Sequence, residues 1–329
     1  MPENKYTKDD FTSKNEVRWC PGCGDYAILA ALQRTLPELG LPPEQHVFVS
    51  GIGCAGRLPY YMNTYGYHTI HGRALAVATG IKAFREDLTV WVITGDGDAL
   101  SIGGNHLLHC LRRNVNVKIL LVNNQIYGLT KGQFSPTSHI GQVTKTSPTG
   151  VTVPPVNPLA LALAAGASFV ARAVDKDPNH LGSLLKEAHA HQGCALIEIN
   201  QDCHIFNPGV FDDFSLKAHR AQRTITLQDG EPLLYGENKE LGLVWQGEDF
   251  ESTTSDKAQA YRHNVANHNH ALHLANLDAQ KFPVPLGVYY RQERPVFNLA
   301  APHTKTIADL PALYRAKHTW QIKPESPTF

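Results

Sequence analysis

Short apolar runs alternate with amphipathic segments along the first two thirds of the chain. The runs are rich in β-branched residues and carry few polar positions, which is typical of parallel strands covered on both faces. They predict strands at 46–50, 88–94, 116–123, 168–174 and 195–200. The segments between them predict helices at 26–39, 75–86, 104–114, 157–166 and 180–191. We therefore expect an α/β fold, with a mostly parallel sheet flanked by helices.

The pattern changes after about residue 205, where the chain becomes polar and is interrupted by prolines. We expect an α/β domain over 1–205 that carries the functional site. Residues 206–329 are expected to form an irregular C-terminal extension that packs on the core or on a partner subunit, with one helix near 256–280. The stretch 130–155 has little periodicity and follows a strand end, where long loops are often functional.

Composition limits the class of protein further. The chain has 329 residues, of which 42% are hydrophobic and 18% charged, enough for a sizeable core. Its 30 basic residues balance its 30 acidic residues, which argues against a broad nucleic-acid-binding surface. No run approaches the roughly 20 apolar residues of a membrane span, and the polar N-terminus lacks a secretory signal. We expect a soluble, cytoplasmic protein with no nucleic-acid or membrane partner.

Cysteine spacing predicts a metal or cluster site. Cys20 and Cys23 lie in WCPGCGD (19–25), where a proline and a glycine supply a turn that lets both sulfurs bind one centre. A thioredoxin-type redox pair would follow a strand, and no strand is predicted before this segment. Cys54 and Cys203 follow predicted strand ends and are the natural further ligands. Four cysteines suit zinc or an iron–sulfur cluster, and spacing does not decide between them.

Glycine-rich turns follow two predicted strands. GIGCAG (51–56) matches a dinucleotide fingerprint only superficially, because no acidic residue follows about 20 positions on. We interpret it as a loop that lets a ligand approach closely around Cys54. GDGD (95–98) and the asparagines at 123–124 follow neighbouring strands, with one crossover between them. Their oxygens suit Mg²⁺ or Ca²⁺ holding a diphosphate; the alternative is a pair of ordinary polar turns.

These motifs resemble those of the β subunits of 2-oxoacid:ferredoxin oxidoreductases. GDGD followed by NNQIYGLT is similar to a thiamine-diphosphate motif, and WCPGCGD, GIGCAGR, HGRA and LTKGQFSPT occur in the family's order. The similarity spans about residues 17–210. It implies that 1–205 has the thiamine-diphosphate-binding fold and holds thiamine diphosphate, Mg²⁺ and one [4Fe–4S] cluster.

The resemblance also implies roles for single residues. One cluster would be ligated by Cys20, Cys23, Cys54 and Cys203. The Mg²⁺ would be held by Asp96, the Asn124 side chain and the backbone carbonyl of Ile126. Around thiamine diphosphate the resemblance places Gly53, Cys54, His71, Gly95, Gly97, Asp98 and Leu129. Cys54, Asn124 and Lys131 are expected to take part most directly in the reaction.

The implied reaction is the oxidative decarboxylation of a 2-oxoacid, with coenzyme A accepting the acyl group and ferredoxin the electrons. The LTKG form of the loop is similar to that of 2-oxoglutarate or broad-specificity enzymes, and Lys131 could pair with a distal carboxylate. The alternative for Lys131 is a solvated loop or a contact with a partner. We expect 2-oxoglutarate as substrate, with pyruvate or broad specificity as the alternative, and reductive CO₂ fixation as a further hypothesis.

A partner subunit is expected, because in this family a separate α subunit supplies the glutamate that activates thiamine diphosphate. The chain alone should be catalytically incomplete and should assemble as αβ or (αβ)₂. Two other functions stay open: a non-oxidative thiamine-diphosphate lyase with structural zinc, and a non-catalytic metal-binding module. Four histidines in the expected helix near 256–280 are predicted to form a solvated face: His263, His268, His270 and His273.

Overall fold

The computed structural model describes residues 5–254 and 260–298. Its strands are β1 (His46–Ser50), β2 (Tyr65–His68), β3 (Thr89–Gly95), β4 (Val117–Asn123), β5 (Phe169–Val174), β6 (Ala195–Asn200), β7 (Thr224–Leu227), β8 (Leu234–Tyr235), β9 (Leu241–Trp245), β10 (Phe250–Thr254) and β11 (Val284–Arg291). Within the described residues, eight strands form the main sheet, in the order β2-β1-β3-β4-β6-β5-β11-β7. All neighbours in it are parallel except β5 and β11, which pair antiparallel. A small antiparallel sheet has the order β10-β9-β8.

The helices are α1 (Asp25–Thr35), α2 (Ala74–Phe84), α3 (Asp96–Leu100), α4 (Gly104–Arg113), α5 (Pro158–Ala164), α6 (Pro178–Ala190), α7 (Asp212–Ser215), α8 (Lys217–Arg223) and α9 (His268–Ala275). Across the described ranges, none of them combines the length and the apolar character needed to span a bilayer.

Helices cover both faces of the main sheet because its central strands are apolar on both sides. All residues of β4 are buried. On one face Leu32 of α1 and Leu184 of α6 belong to a buried apolar cluster. On the other face Leu75 of α2 and Leu111 of α4 belong to a second cluster. The result is a three-layer α/β/α arrangement, which confirms the predicted fold class.

The five predicted strands and five predicted helices are confirmed, and with one exception their bounds differ by at most two residues. The exception is the helix expected over 26–39, which ends as α1 at Thr35 and continues as a 3₁₀ turn over Leu36–Leu39. Pro37 explains the change, because proline has no N–H to donate and its ring disrupts an α-helix.

The segment after residue 205 is more regular than the sequence pattern indicates. It contributes β7 and β11 to the main sheet and all of the small sheet. The described residues up to Phe297 form one compact unit. The division near residue 205 therefore marks a change in sequence character, and as a domain boundary it stays a prediction. Residues 299–329 of the expected extension lie outside the described residues.

The prediction of a solvated histidine face is wrong. The helix expected near 256–280 is α9, which begins at His268, and residues 256–259 lie outside the described part of the chain. His263 precedes α9 and is buried, with its Nε2 2.8 Å from the Val288 carbonyl oxygen. The His270 ring packs against Tyr261 and Trp245, with centroids 4.5 and 4.6 Å away. The His270 contacts arise because Trp245 of β9 and Tyr261 pack on α9.

Candidate active site

A cleft opens where the carboxyl ends of β1, β3 and β4 meet at one edge of the sheet. Its volume is about 670 Å³, counted out to its open mouth. In parallel α/β sheets this edge is where ligands usually bind. The cleft is lined by every residue that the family resemblance places around the diphosphate cofactor and its metal: Gly53, Cys54, His71, Gly95, Asp96, Gly97, Asp98, Asn124, Ile126 and Leu129.

Asp96 follows β3 as the first residue of α3, and its carboxylate is buried, with only 2% of the residue exposed. Two hydroxyl groups donate to its Oδ2, from Ser135 at 2.5 Å and Thr137 at 2.6 Å. Burial raises the pKa of Asp96, and these two hydrogen bonds act against the rise. The long aperiodic loop after β4 thus holds the carboxylate in place, which supports the expectation that this loop is functional.

Asn124 follows β4 and lies beside Asp96 in the cleft lining. The chain then turns through Gln125, whose φ of 56° lies in the left-handed region. The Asn124 Oδ1 atom accepts a hydrogen bond of 3.2 Å from the Ile126 N–H, and its Nδ2 donates to Gln201 Oε1 at 3.0 Å. Since both side-chain ends are bonded, the asparagine is held in one orientation at the cleft wall.

Asp98 holds the loops around the cleft together. Its Oδ1 accepts from the backbone N–H groups of Ile52 at 3.2 Å and Gly72 at 2.8 Å, and its Oδ2 accepts from the Thr94 hydroxyl at 3.0 Å. The carboxylate therefore ties the glycine loop after β1 and the turn before α2 to the end of β3. Its position supports the shape of the cleft, in addition to lining it.

Gly97 allows an aromatic side chain to approach the turn after β3. A Cβ on this residue would lie 2.2 Å from the Tyr127 ring, a distance that no packed side chain tolerates. The Tyr127 hydroxyl also donates to the Gly97 carbonyl at 3.1 Å. The second glycine of GDGD is thus required for the turn after β3 to pack on the turn after β4.

Four cysteines reach the same edge of the sheet from three separate segments. The sulfurs of Cys203 and Cys54 lie 3.3 and 3.7 Å from the point that a Cβ on Gly128 would occupy. Burial raises the pKa of the Cys23 thiol and raises that of Cys54 to about 12, and the charges of neighbouring cysteines add to both shifts. Cys20 is exposed, and its charge also raises the pKa of Cys54.

The cysteines are neighbours without the geometry of a metal site. Over residues 5–254 and 260–298, no group of three or more His, Cys, Asp or Glu side chains could hold a metal ion as placed. Their chemistry nevertheless fits a cationic centre. If the four thiols ionised next to the buried Asp25, their negative charges would repel one another in a low dielectric, and a metal charge would offset that repulsion.

Lys131 lies at the edge of the site. Its side chain is exposed, its φ of 78° is left-handed, and it follows Thr130, which lines the cleft. Sequence reasoning gave no role to Ser135 and Thr137, although both lie in the quoted LTKGQFSPT motif, nor to Gln201. One signal could have indicated Gln201: it directly follows the predicted strand 195–200, just as Asn124 directly follows the predicted strand 116–123.

Comparisons with known proteins agree with this geometry. Residues 51–199 match the family described as thiamine pyrophosphate enzyme, C-terminal TPP binding domain. The 2-oxoglutarate oxidoreductase subunit KorB of Mycobacterium tuberculosis is 49% identical over 95% of this chain and 88% of its own length. The 2-oxoacid:ferredoxin oxidoreductase subunit beta of Saccharolobus solfataricus is 37% identical over 76% of this chain and 90% of its own.

A solved structure is similar over nearly the whole chain. It is a 2-oxoglutarate:ferredoxin oxidoreductase from Magnetococcus marinus with 2-oxoglutarate, coenzyme A and succinyl-CoA bound. The TM-score is 0.73 at 32% identity, covering 95% of this chain and 97% of the other.

Proposed function

We propose roles for single residues of this chain in the reaction of its family. The chain belongs to the 2-oxoacid:ferredoxin oxidoreductase β subunits. It is the thiamine-diphosphate-binding subunit of a 2-oxoglutarate:ferredoxin oxidoreductase. The reaction converts 2-oxoglutarate and coenzyme A to succinyl-CoA and CO₂, and two electrons pass to ferredoxin one at a time. The observation that carries the proposal is that Asp96, Asn124 and Cys54 line one cleft.

Asp96, Asn124 and the Ile126 carbonyl would hold Mg²⁺ against the diphosphate. Carboxylate, amide and carbonyl oxygens are the ligands that this ion prefers. A buried carboxylate is unfavourable unless donors or a cation offset its desolvation, and Asp96 has hydroxyl donors on one oxygen and a cleft beside it. When bound, thiamine diphosphate supplies the carbon nucleophile for decarboxylation.

Cys20, Cys23, Cys54 and Cys203 would ligate one [4Fe–4S] cluster, which when bound supplies a one-electron acceptor. Cys54 belongs to both sites, because it lines the cleft and its sulfur is a neighbour of the other three thiols. An electron leaving the cleft would thus have a short path to the cluster. The six cysteines all lie in described residues and are free, in keeping with the reducing cytoplasm that we propose for this enzyme.

A partner subunit would complete the site. Large apolar side chains are exposed at the mouth of the cleft: Ile102 is 58% exposed and Leu129 53%. Ile70, which precedes the cleft-lining His71 in the chain, is 71% exposed. Exposed apolar patches of this kind mark protein interfaces. Among the described residues, the acids in the cleft lining are Asp96 and Asp98, and no glutamate lines it. We infer that an α subunit covers this mouth and supplies the activating glutamate, in an αβ or (αβ)₂ enzyme that passes its electrons to ferredoxin.

Lys131 would select 2-oxoglutarate. Its turn borders the cleft, and an ammonium group there could pair with the second carboxylate of this substrate, which pyruvate lacks. Lys131→Met in the assembled enzyme should raise the KM for 2-oxoglutarate and leave that for pyruvate nearly unchanged. Equal effects on both substrates would assign Lys131 to the partner contact or to solvent.

The central test is an anaerobic purification of the assembled enzyme, with iron content and optical spectrum. A brown protein whose absorption near 400 nm is bleached by 2-oxoglutarate plus coenzyme A is expected. Cys54→Ala should lose iron and Asp96→Ala should lose Mg²⁺-dependent cofactor binding, while Cys110→Ala, a change to a buried thiol away from the cleft, should retain both. Stoichiometric zinc without colour would instead support the non-oxidative lyase. Incubation with succinyl-CoA, labelled CO₂ and reduced ferredoxin tests the reductive direction.

A further inference from the structure

Gln201 joins the two halves of the proposed site. It follows β6 and is 1% exposed, and its N–H donates to the Asn123 carbonyl at 2.9 Å, which extends the pairing of β6 with β4. Its side-chain Oε1 accepts from Asn124 Nδ2 at 3.0 Å. Its Nε2 donates to the Cys23 sulfur at 3.3 Å. One buried amide thus contacts a proposed metal ligand and a proposed cluster ligand.

The orientation of both amides is determined by a backbone carbonyl. Gln201 Nε2 lies 2.7 Å from the Asp202 carbonyl oxygen, which can only accept a hydrogen bond. The nitrogen of Gln201 must therefore face Asp202, and its oxygen must face Asn124. Because that oxygen also only accepts, Asn124 has to present its nitrogen to Gln201. The oxygen of Asn124 is then left on the opposite side of its side chain.

The two ends of Gln201 have different expected effects. An amide that orients a metal ligand preserves the affinity of the site, and such outer contacts are commonly worth 10–100-fold in metal binding. An N–H group that donates to a cysteine sulfur stabilises the added electron of a cluster and so raises its reduction potential. The Asn124 end therefore acts on the Mg²⁺ site and the Cys23 end acts on the cluster.

We propose that Gln201 is a positioning residue that couples the two cofactor sites, by directing the Asn124 oxygen to the metal and by donating an N–H to the Cys23 sulfur. The inference rests on the function proposed above. It adds that one substitution outside both ligand sets should change both the affinity for Mg²⁺ and the potential of the cluster.

The test uses two variants in the assembled enzyme. Gln201→Met keeps the length of the side chain and removes both hydrogen bonds, so the apparent Kd for Mg²⁺ should rise about 10–100-fold and the midpoint potential of the cluster should become more negative. Gln201→Glu keeps an oxygen for Asn124. It replaces the nitrogen that donates to Cys23 and to the Asp202 carbonyl by an oxygen, so it removes the Cys23 hydrogen bond and adds negative charge beside the cluster. It should shift the potential in the same direction and keep an Mg²⁺ affinity close to that of the wild type.

Controls separate this coupling from general damage. Gln33→Met changes a buried glutamine that donates to the Tyr61 carbonyl, and it should alter neither quantity. If a Gln201→Met enzyme loaded with iron and cofactor has an unchanged Mg²⁺ affinity and an unchanged cluster potential, the role of Gln201 is overturned and the proposed function is not. If Gln201→Met does not fold, an unshifted potential in Gln201→Glu overturns the coupling. A wild-type enzyme without iron would instead overturn the proposed function.

Discussion

Replacing Thr137 by valine tests how the loop after β4 supports Asp96. The Thr137 hydroxyl lies 2.6 Å from Asp96 Oδ2 and 2.9 Å from Asn123 Oδ1, and its single proton goes to the carboxylate, which is the stronger acceptor. Valine has the same shape and puts a methyl group against that oxygen. The loss of one hydrogen bond to a buried charged group should lower the free energy of unfolding by about 1.5–3 kcal/mol.

The assay is urea unfolding of the metal-free chain at pH 8, far above the ordinary pKa of a carboxyl group, because burial raises the pKa of Asp96. Thr149→Val, an exposed threonine in the same loop, serves as the control and should unfold with the wild-type midpoint. The reasoning is refuted if Thr137→Val unfolds with the same midpoint and the same dependence on urea as the control. In the assembled enzyme the same variant should also weaken Mg²⁺ binding, because Asp96 would be less firmly held.

Two further predictions concern buried polar groups away from the cleft. Glu198→Gln removes the negative charge that lies 2.7 Å from Arg172, and leaving that buried cation without a countercharge should cost about 3–5 kcal/mol of stability in the same assay. Asp87→Asn, in an exposed ion pair, should cause no measurable change. His46 is buried, and its Nδ1 accepts a hydrogen bond from the Trp91 indole. Burial lowers the pKa of His46 to about 4, whereas a histidine in the unfolded chain has a pKa of about 6.5. The unfolded state then binds the proton first as pH falls, so between pH 6.5 and 4.5 the wild type should lose about 2 kcal/mol more than His46→Gln.

The central strands were predictable because burial on both faces leaves a local trace in the sequence. The run HVFVS was predicted with the bounds that β1 has. The strand β2, YGYH, was missed because it lies at the sheet edge with its first three residues exposed, so backbone pairing to β1 defines it and no apolar pattern does. The strand β11 was missed for another reason. It pairs with β5 and β7, which lie far from it in the sequence, and no local pattern shows such a pairing.

The site was predictable where its residues follow strand ends, and unpredictable where they come from a loop. Asp96 and Asn124 follow β3 and β4, so parallel pairing brings them to one edge. Ser135 and Thr137 reach Asp96 from a loop without periodicity, and only the folded chain shows which hydroxyls arrive there. Gln201 was visible as a polar residue after β6, but its two partners depend on side-chain orientations that no spacing rule gives.

A buried polar network links the C-terminal strand to the proposed metal site. The Tyr289 hydroxyl on β11 is 3.0 Å from Arg172, whose guanidinium pairs with Glu198. Glu198 accepts from Asn123 Nδ2 at 2.7 Å, and Asn123 in turn lies against Thr137, which holds Asp96. Since buried hydrogen-bonded groups polarise and position one another, a change in this chain of contacts can reach the carboxylate. The strand β11 thus contributes Tyr289 to the polar network that leads to Asp96.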